Sequence, residues 1–169
     1  GPDWTATLAV AFGALLPDLI DKPLSWGLGV FSTSYAVGHA IVVAPFVWVA
    51  VVLAARRAGN VAAGVAFAVG YASHLVGDIV YPLVRGQPPA FHAVLWPFVT
   101  VPSAGVRAGL LHEFWRYFSV YAAHLLALDF GPVMLFTTGL ALVVFALWTY
   151  DGLPVLAELG AYTRRRMQG

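Results

Sequence analysis

Two side chains able to do chemistry interrupt an apolar run in Gly70-Tyr71-Ala72-Ser73-His74-Leu75-Val76-Gly77-Asp78. His74 and Asp78 stand four residues apart, so on an α-helix both leave the same face, one turn apart. Such a pair can grip one metal ion. An ionisable group in an apolar span is costly, roughly 2.5 kcal/mol or more for Asp at a helix centre, and typically faces a protein interior or a cavity. Further donors precede this pair: Asp18 and Asp21 in Leu16-Pro17-Asp18-Leu19-Ile20-Asp21-Lys22-Pro23, and His39. With no cysteine in the chain, disulfides and thiolate ligation are excluded. Any ion must be held by His, Asp or Glu.

Asp18, Asp21, His39, His74 and Asp78 form a donor set suited to a divalent metal ion, zinc first, with manganese or magnesium as harder alternatives. An ion held there acidifies water or polarises a carbonyl or phosphoryl oxygen, while a free carboxylate acts as general base. Asp18 and Asp21 are each candidates for ligation and for the catalytic carboxylate, and their spacing does not choose between the roles. Plainer readings stand beside these: Asp18 as part of a helix-stop turn, Asp21-Lys22 as a surface ion pair, His39 as an interhelical hydrogen-bonding group. His92, His112 and His124 read as interfacial or capping histidines. Trp26, Trp96 and Trp115 read as interface anchors, and Tyr71 and Tyr81 as packing residues.

The elements that must position these residues belong to a membrane. The chain is 60% hydrophobic and 10% charged, with a mean hydropathy of +0.81, against about 25% charged residues in an ordinary globular domain. This composition predicts an all-α integral membrane helix bundle: about four transmembrane spans plus re-entrant or interfacial helices, one membrane-embedded domain over residues 1–169, multi-pass in the cell membrane with lipids as its surroundings. A net charge of +1 argues against nucleic acid as a partner. The chain opens at Gly1 with neither initiator Met nor the basic stretch of a signal peptide, so residues upstream are expected. Oligomeric state leaves no signal.

The first span runs from Trp4 to Ile20, with its helix expected to stop near Leu16 or Pro17 because two prolines six residues apart do not fit one undisturbed helix. A loop or short interfacial helix follows over Leu24–Ser34. The second span is expected from Tyr35 to about Ala55, with His39 in its first turns and Arg56-Arg57 at its end. The third runs from Val61 to about Val84, rich in Ala and Gly that let another helix approach closely. Phe91–Val101 is too short to span and reads as re-entrant or interfacial. Leu110–Leu128 is amphipathic, a last span covers Phe130–Tyr150, and Arg164-Arg165-Arg166 lie in the tail. Alternating the direction of successive spans brings Asp18, Asp21, His39, His74 and Asp78 to one membrane face. The positive-inside rule sets Arg56-Arg57 and Arg164–Arg166 on the cytoplasmic side, and so turns that face outward.

At these residues the chain resembles a family of membrane-embedded, metal-dependent hydrolases described as LexA-binding and inner-membrane-associated. The family pattern is a Leu-Pro-Asp-x-x-Asp turn, a short His element, and Gly-Tyr-x-Ser-His-x-x-x-Asp followed by a Pro-containing stretch. Here these read Leu16-Pro17-Asp18-Leu19-Ile20-Asp21, Val37-Gly38-His39-Ala40, Gly70 to Asp78, and Leu95-Trp96-Pro97-Phe98. Asp21-Lys22-Pro23-Leu24-Ser25-Trp26 looks like versions from halophilic archaea. The match covers roughly residues 8 to 100. Two family features are missing: an Arg just before the central His, where this chain has Tyr35-Ala36-Val37-Gly38, and a His-bearing N-terminal helix. The resemblance implies a metal-dependent hydrolase, and we expect hydrolysis of an ester or phosphoester of a lipid or lipid-like substrate entering sideways. A proton- or ion-coupled transporter and a non-catalytic scaffold are the alternatives. Polar groups gathered at one end of the spans favour the enzyme over the transporter.

Overall fold

The computed structural model describes residues 4–167, and their regular structure is entirely helical. Six α-helices succeed one another: α1 (Trp4–Lys22), α2 (Ala44–Arg57), α3 (Val61–Val80), α4 (Leu110–Leu126), α5 (Pro132–Tyr150) and α6 (Pro154–Met167). Their ends follow local chemistry. Prolines sit in the first turns of α2 and α5, where the missing N–H has no intrahelical partner to lose. Asn60 caps α3 by accepting from the Ala63 amide at 3.1 Å. Arg56 and Arg57 occupy the last turn of α2, where cations meet the negative end of the helix dipole.

α1 and α3 lie side by side in the same direction, with the Asn60 amide donating to Thr5 at their starts. Glycine makes the contact close. A Cβ at Gly13 would strike the Phe67 carbonyl, and one at Gly70 the Val10 carbonyl. The small-residue character of 61–72 therefore has its partner in α1, while Gly64 abuts Val52 and Ala55 of α2. Ala44, Phe67, Tyr71, Leu75 and Val94 form the buried core, with Ala9, Leu16, Val47 and Trp48 packed around it.

Among the described residues three segments are long and apolar enough to cross a membrane: Trp4–Gly27, Val61–Arg85 and Pro132–Tyr150. About four had been expected. The difference lies in the second segment, where α2 has 14 residues and so measures about 21 Å against a bilayer core of about 30 Å. Residues 28–43 precede it in turns, because their backbone amides are engaged elsewhere. Ala36, Gly38 and His39 donate to the Asp21 carboxylate, and Ile41 donates to the Val94 carbonyl. Irregular backbone of this kind is tolerated in a membrane protein where protein groups satisfy it.

α1 departs from expectation in the other direction, continuing through Pro17 to Lys22. The turn beyond the proline is held by an ion pair between Lys22 and Asp18, four residues apart, and by Asp21, anchored to the 36–39 segment. A wide turn at Pro23–Gly27 ends it. α4 forms where amphipathic character was read, and its first turn is fixed by Glu113. This carboxylate is buried under the loop at Gly105 and gripped by Arg116 through Nε and Nη2. The guanidinium holds the Glu113 carboxyl below the usual carboxylate range. α5 buries only Met134, as befits a lipid-facing helix. α6, carrying Arg164–Arg166, is an amphipathic helix in the region read from sequence only as a tail.

The close approach of α1 and α3 makes a stability prediction. Gly13→Ala and Gly70→Ala should each cost about 1–3 kcal/mol through forced separation of the helices, lowering the thermal midpoint of the detergent-solubilised protein. Gly139→Ala, which meets nothing within 4 Å, should leave it unchanged or raise it.

Candidate metal centre

Each donor reaches the centre by a different route. Asp18 comes from the last turns of α1, His39 from the irregular segment before α2, and His74 and Asp78 from the second half of α3. Because α1 and α3 run in the same direction, their far ends coincide.

Asp21 organises the approach. It is completely buried. Its Oδ2 accepts from the amides of Ala36 at 2.7 Å and His39 at 3.1 Å, and its Oδ1 from Gly38 at 2.9 Å. Oδ2 also lies 2.8 Å from Nδ1 of His39. An ionised carboxylate only accepts, so Nδ1 carries a proton, which leaves Nε2 as the nitrogen a metal ion would take. A carboxylate behind an imidazole in this way fixes its tautomer and rotation and raises its basicity toward a metal. Tyr71 secures the same loop from the core by donating its hydroxyl to the Gly38 carbonyl. Tyr35 packs edge-on against His39, ring centroids 5.1 Å apart.

Nε2 of His39 faces Nε2 of His74 at 3.1 Å. Asp18 Oδ1 lies 3.4 Å from the first and 3.8 Å from the second. These separations bracket the edge of a tetrahedron with bonds of 2.0–2.1 Å, about 3.3–3.4 Å, the geometry zinc adopts with imidazole and carboxylate. Asp18, His39 and His74 are thus a triad whose donor atoms could hold a metal ion. Asp78 approaches both imidazoles, its Oδ2 3.2 Å from His39 and 3.3 Å from His74. That oxygen is buried, and it stands closer to the two imidazole nitrogens than Asp18 Oδ1 does. Two imidazole nitrogens 3.1 Å apart, ringed by carboxylates with Lys22 as the sole ammonium, call for positive charge at the centre. The residues present fit a divalent ion.

A family model described as the YdjM inner membrane protein matches residues 1–156. The chain belongs to that family. It is a multi-pass membrane protein. No curated protein and no solved structure matches it.

In this YdjM-family chain all five acidic and imidazole residues singled out from the sequence lie together, though not in equivalent places. Asp18, His39, His74 and Asp78 present donor atoms to one another, while Asp21 stands behind His39 with both oxygens engaged. The surface ion pair considered for Asp21 and Lys22 is instead made by Asp18 and Lys22. His92 contributes a ring contact to Tyr35. His124 pairs with Asp129 on the exposed surface. Trp26, read as an interface anchor, is buried and stacked on Tyr117. The site roles of Tyr35 and Tyr71 went unread because a tyrosine on an apolar run has the pattern of a packing residue; only the path of the 35–39 backbone reveals their positions.

Replacing Asp21 by Asn exchanges an acceptor oxygen for a donor facing backbone amides and the His39 ring. Each buried donor left unsatisfied costs about 1–3 kcal/mol. Asp21→Asn should therefore lower the thermal midpoint and speed proteolytic cleavage within residues 28–43, whereas Asn60→Asp at the far end of α3 should leave that cleavage unchanged.

Proposed function

We propose that this protein is a membrane-embedded, zinc-dependent hydrolase of an ester or phosphoester on a lipid-like substrate. The reading is carried by the convergence of the Asp18, His39 and His74 donors at 3.1–3.8 Å. Two imidazoles and one carboxylate form a three-ligand set of the catalytic zinc kind, which leaves a position open for water or substrate. When bound, the ion supplies Lewis-acid chemistry: it polarises the scissile carbonyl or phosphoryl oxygen and acidifies water.

The chain's own residues divide the remaining work. Asp78, whose buried Oδ2 lies 3.2 and 3.3 Å from the His39 and His74 nitrogens and outside the triad, is the general base that takes the proton from the attacking water. Asp21 positions His39 and does not touch the reacting atoms. Lys22 neutralises part of the charge beside Asp18. Manganese or magnesium would favour more oxygen ligands than this set offers.

Zinc should be present at one ion per chain in protein purified without chelator. Asp78→Asn should keep that stoichiometry and lose roughly 10²–10⁴ in hydrolytic rate, the usual span of general-base catalysis. His74→Ala should lose both zinc and activity. Zinc-loaded protein that hydrolyses neither long-chain esters nor long-chain phosphoesters would defeat the assignment, as would an Asp78→Asn variant of undiminished rate.

A further inference from the structure

The metal centre and the cavity that opens from it between α1 and α4 lie at one end of the helices. α6 lies at the other. The Tyr81 and Phe136 rings, 6.5 Å apart, set the first turns of α5 beside the end of α3. The 19 residues of α5 then carry the chain about 28 Å to the opposite face, where Arg56 and Arg57 close α2. There the helix is broken. The amides of Gly152 and Leu153 donate back to the carbonyls of Thr149 and Trp148, and both residues take positive φ, a left-handed glycine cap. Pro154 then opens α6. With 14 residues that include Arg164, Arg165 and Arg166, α6 is too short and too charged to span.

The surface of α6 divides by chemistry. Pro154 is buried and Gly160 and Ala161 are half-buried, on a helix that touches α1. Leu156, Leu159, Tyr162 and Met167 are each more than half exposed, and at about 100° per residue they fall within an arc of about 140°. Thr163, in the same arc, turns its hydroxyl to the Leu159 and Gly160 carbonyls at 3.1 Å. Arg166 also lies there, with its guanidinium over the Tyr162 ring at 5.6 Å, so its methylenes follow the apolar surface while the charge reaches out of it.

Charge decides what covers this arc. Among the described residues, this face of the protein carries Arg56, Arg57 and Arg164–Arg166 against the carboxylates of Asp151 and Glu158, and Glu158 is taken by Arg165 at 3.2 Å. A second copy of the chain would bring the same excess of positive charge to the contact and be repelled. A bilayer surface that holds anionic lipid offers hydrocarbon to the arc and negative charge to the guanidiniums.

We infer that α6 is an interfacial helix that binds anionic lipid at the membrane face opposite the metal centre, with the Leu156, Leu159, Tyr162 and Met167 arc sunk at head-group level and Arg164–Arg166 holding lipid phosphates. Each basic side chain at an anionic surface strengthens attachment about fivefold. The apolar arc supplies the part that salt does not screen. Because α5 buries only Met134, this attachment fixes the far end of a span that the bundle itself hardly holds. The inference stands on α6 alone and is independent of the hydrolase reading.

The chain has no cysteine, so Leu159→Cys gives a single attachment point for an environment-sensitive nitrobenzoxadiazole label. The labelled full chain is reconstituted in vesicles of phosphatidylcholine alone, or of equal parts phosphatidylcholine and phosphatidylglycerol. In the mixed vesicles the label should emit to the blue and be quenched by nitroxides at the top of the acyl chains. In the neutral vesicles the ratio of docked to free label should be about tenfold lower or less. Replacing Arg164, Arg165 and Arg166 together by Gln should lower that ratio in the mixed vesicles to a similar extent, as should raised salt acting on the unaltered helix. Leu156→Gln, which keeps every charge, should reduce the nitroxide quenching in both vesicles. Equal signals in the two vesicles would overturn the inference, as would a label open to water in both. Burial of the label that rises with the protein-to-lipid ratio would also overturn it, by marking a second copy as the occupant.

Discussion

The Asp21 carboxylate is the constraint on which the site depends. Completely buried, it accepts from three backbone amides in the 36–39 segment and from the His39 ring. A buried charge is tolerable only when paired and hydrogen-bonded, and here the groups that satisfy it are the ones that need shaping. The same interaction stops residues 36–39 from entering a helix, turns His39 toward His74 and sets its tautomer. Without it Asp18, His74 and Asp78 would still share one end of the α1–α3 pair, but no imidazole would close the set from the third side.

Around this constraint the helices serve as struts. Gly13 and Gly70 let α1 and α3 meet backbone to backbone, which in lipid replaces the hydrophobic driving force that water would supply. The parallel arrangement then carries Asp18 and His74 to equal depth. α2 returns along α3 and leaves the irregular 28–43 segment at the site end, where Tyr71 and Val94 satisfy parts of its backbone. α4 lies over the opening, tied through the Gly105 loop that covers Glu113 and by the bonds from the amides of Arg107 and Gly109 to the carbonyls of Ser25 and Trp26. The wall of the cavity and the wall of the metal centre are therefore one construction.

Much of this was legible in the residues. The four-residue spacing of His74 and Asp78 announced a shared helix face, and alternating spans sufficed to bring Asp18, Asp21 and His39 to the same end. The Ala/Gly pattern of 61–72 announced a close helix contact without naming α1 as its partner. What periodicity could not carry was the route of the backbone through 28–43, because that path is decided by a carboxylate fifteen residues upstream of the first amide it binds. Residues 35–55 have the hydropathy of a span, and hydropathy does not record where amides go. The persistence of α1 through Pro17 was hidden for a similar reason: the turn beyond it is held by the Asp18–Lys22 pair and by Asp21's long-range bonds, not by local propensity. The motifs behind the resemblance carry Asp18, Asp21, His39, His74 and Asp78, and these five lie together at one end of the α1–α3 pair.

X-ray absorption at the zinc edge tests the central claim most directly. The account predicts a four-coordinate zinc with nitrogen and oxygen neighbours at about 2.0–2.1 Å and the outer-shell scattering of two imidazoles, with one imidazole lost in His39→Ala. A spectrum with no imidazole scattering, or one left unchanged by His39→Ala, would contradict it.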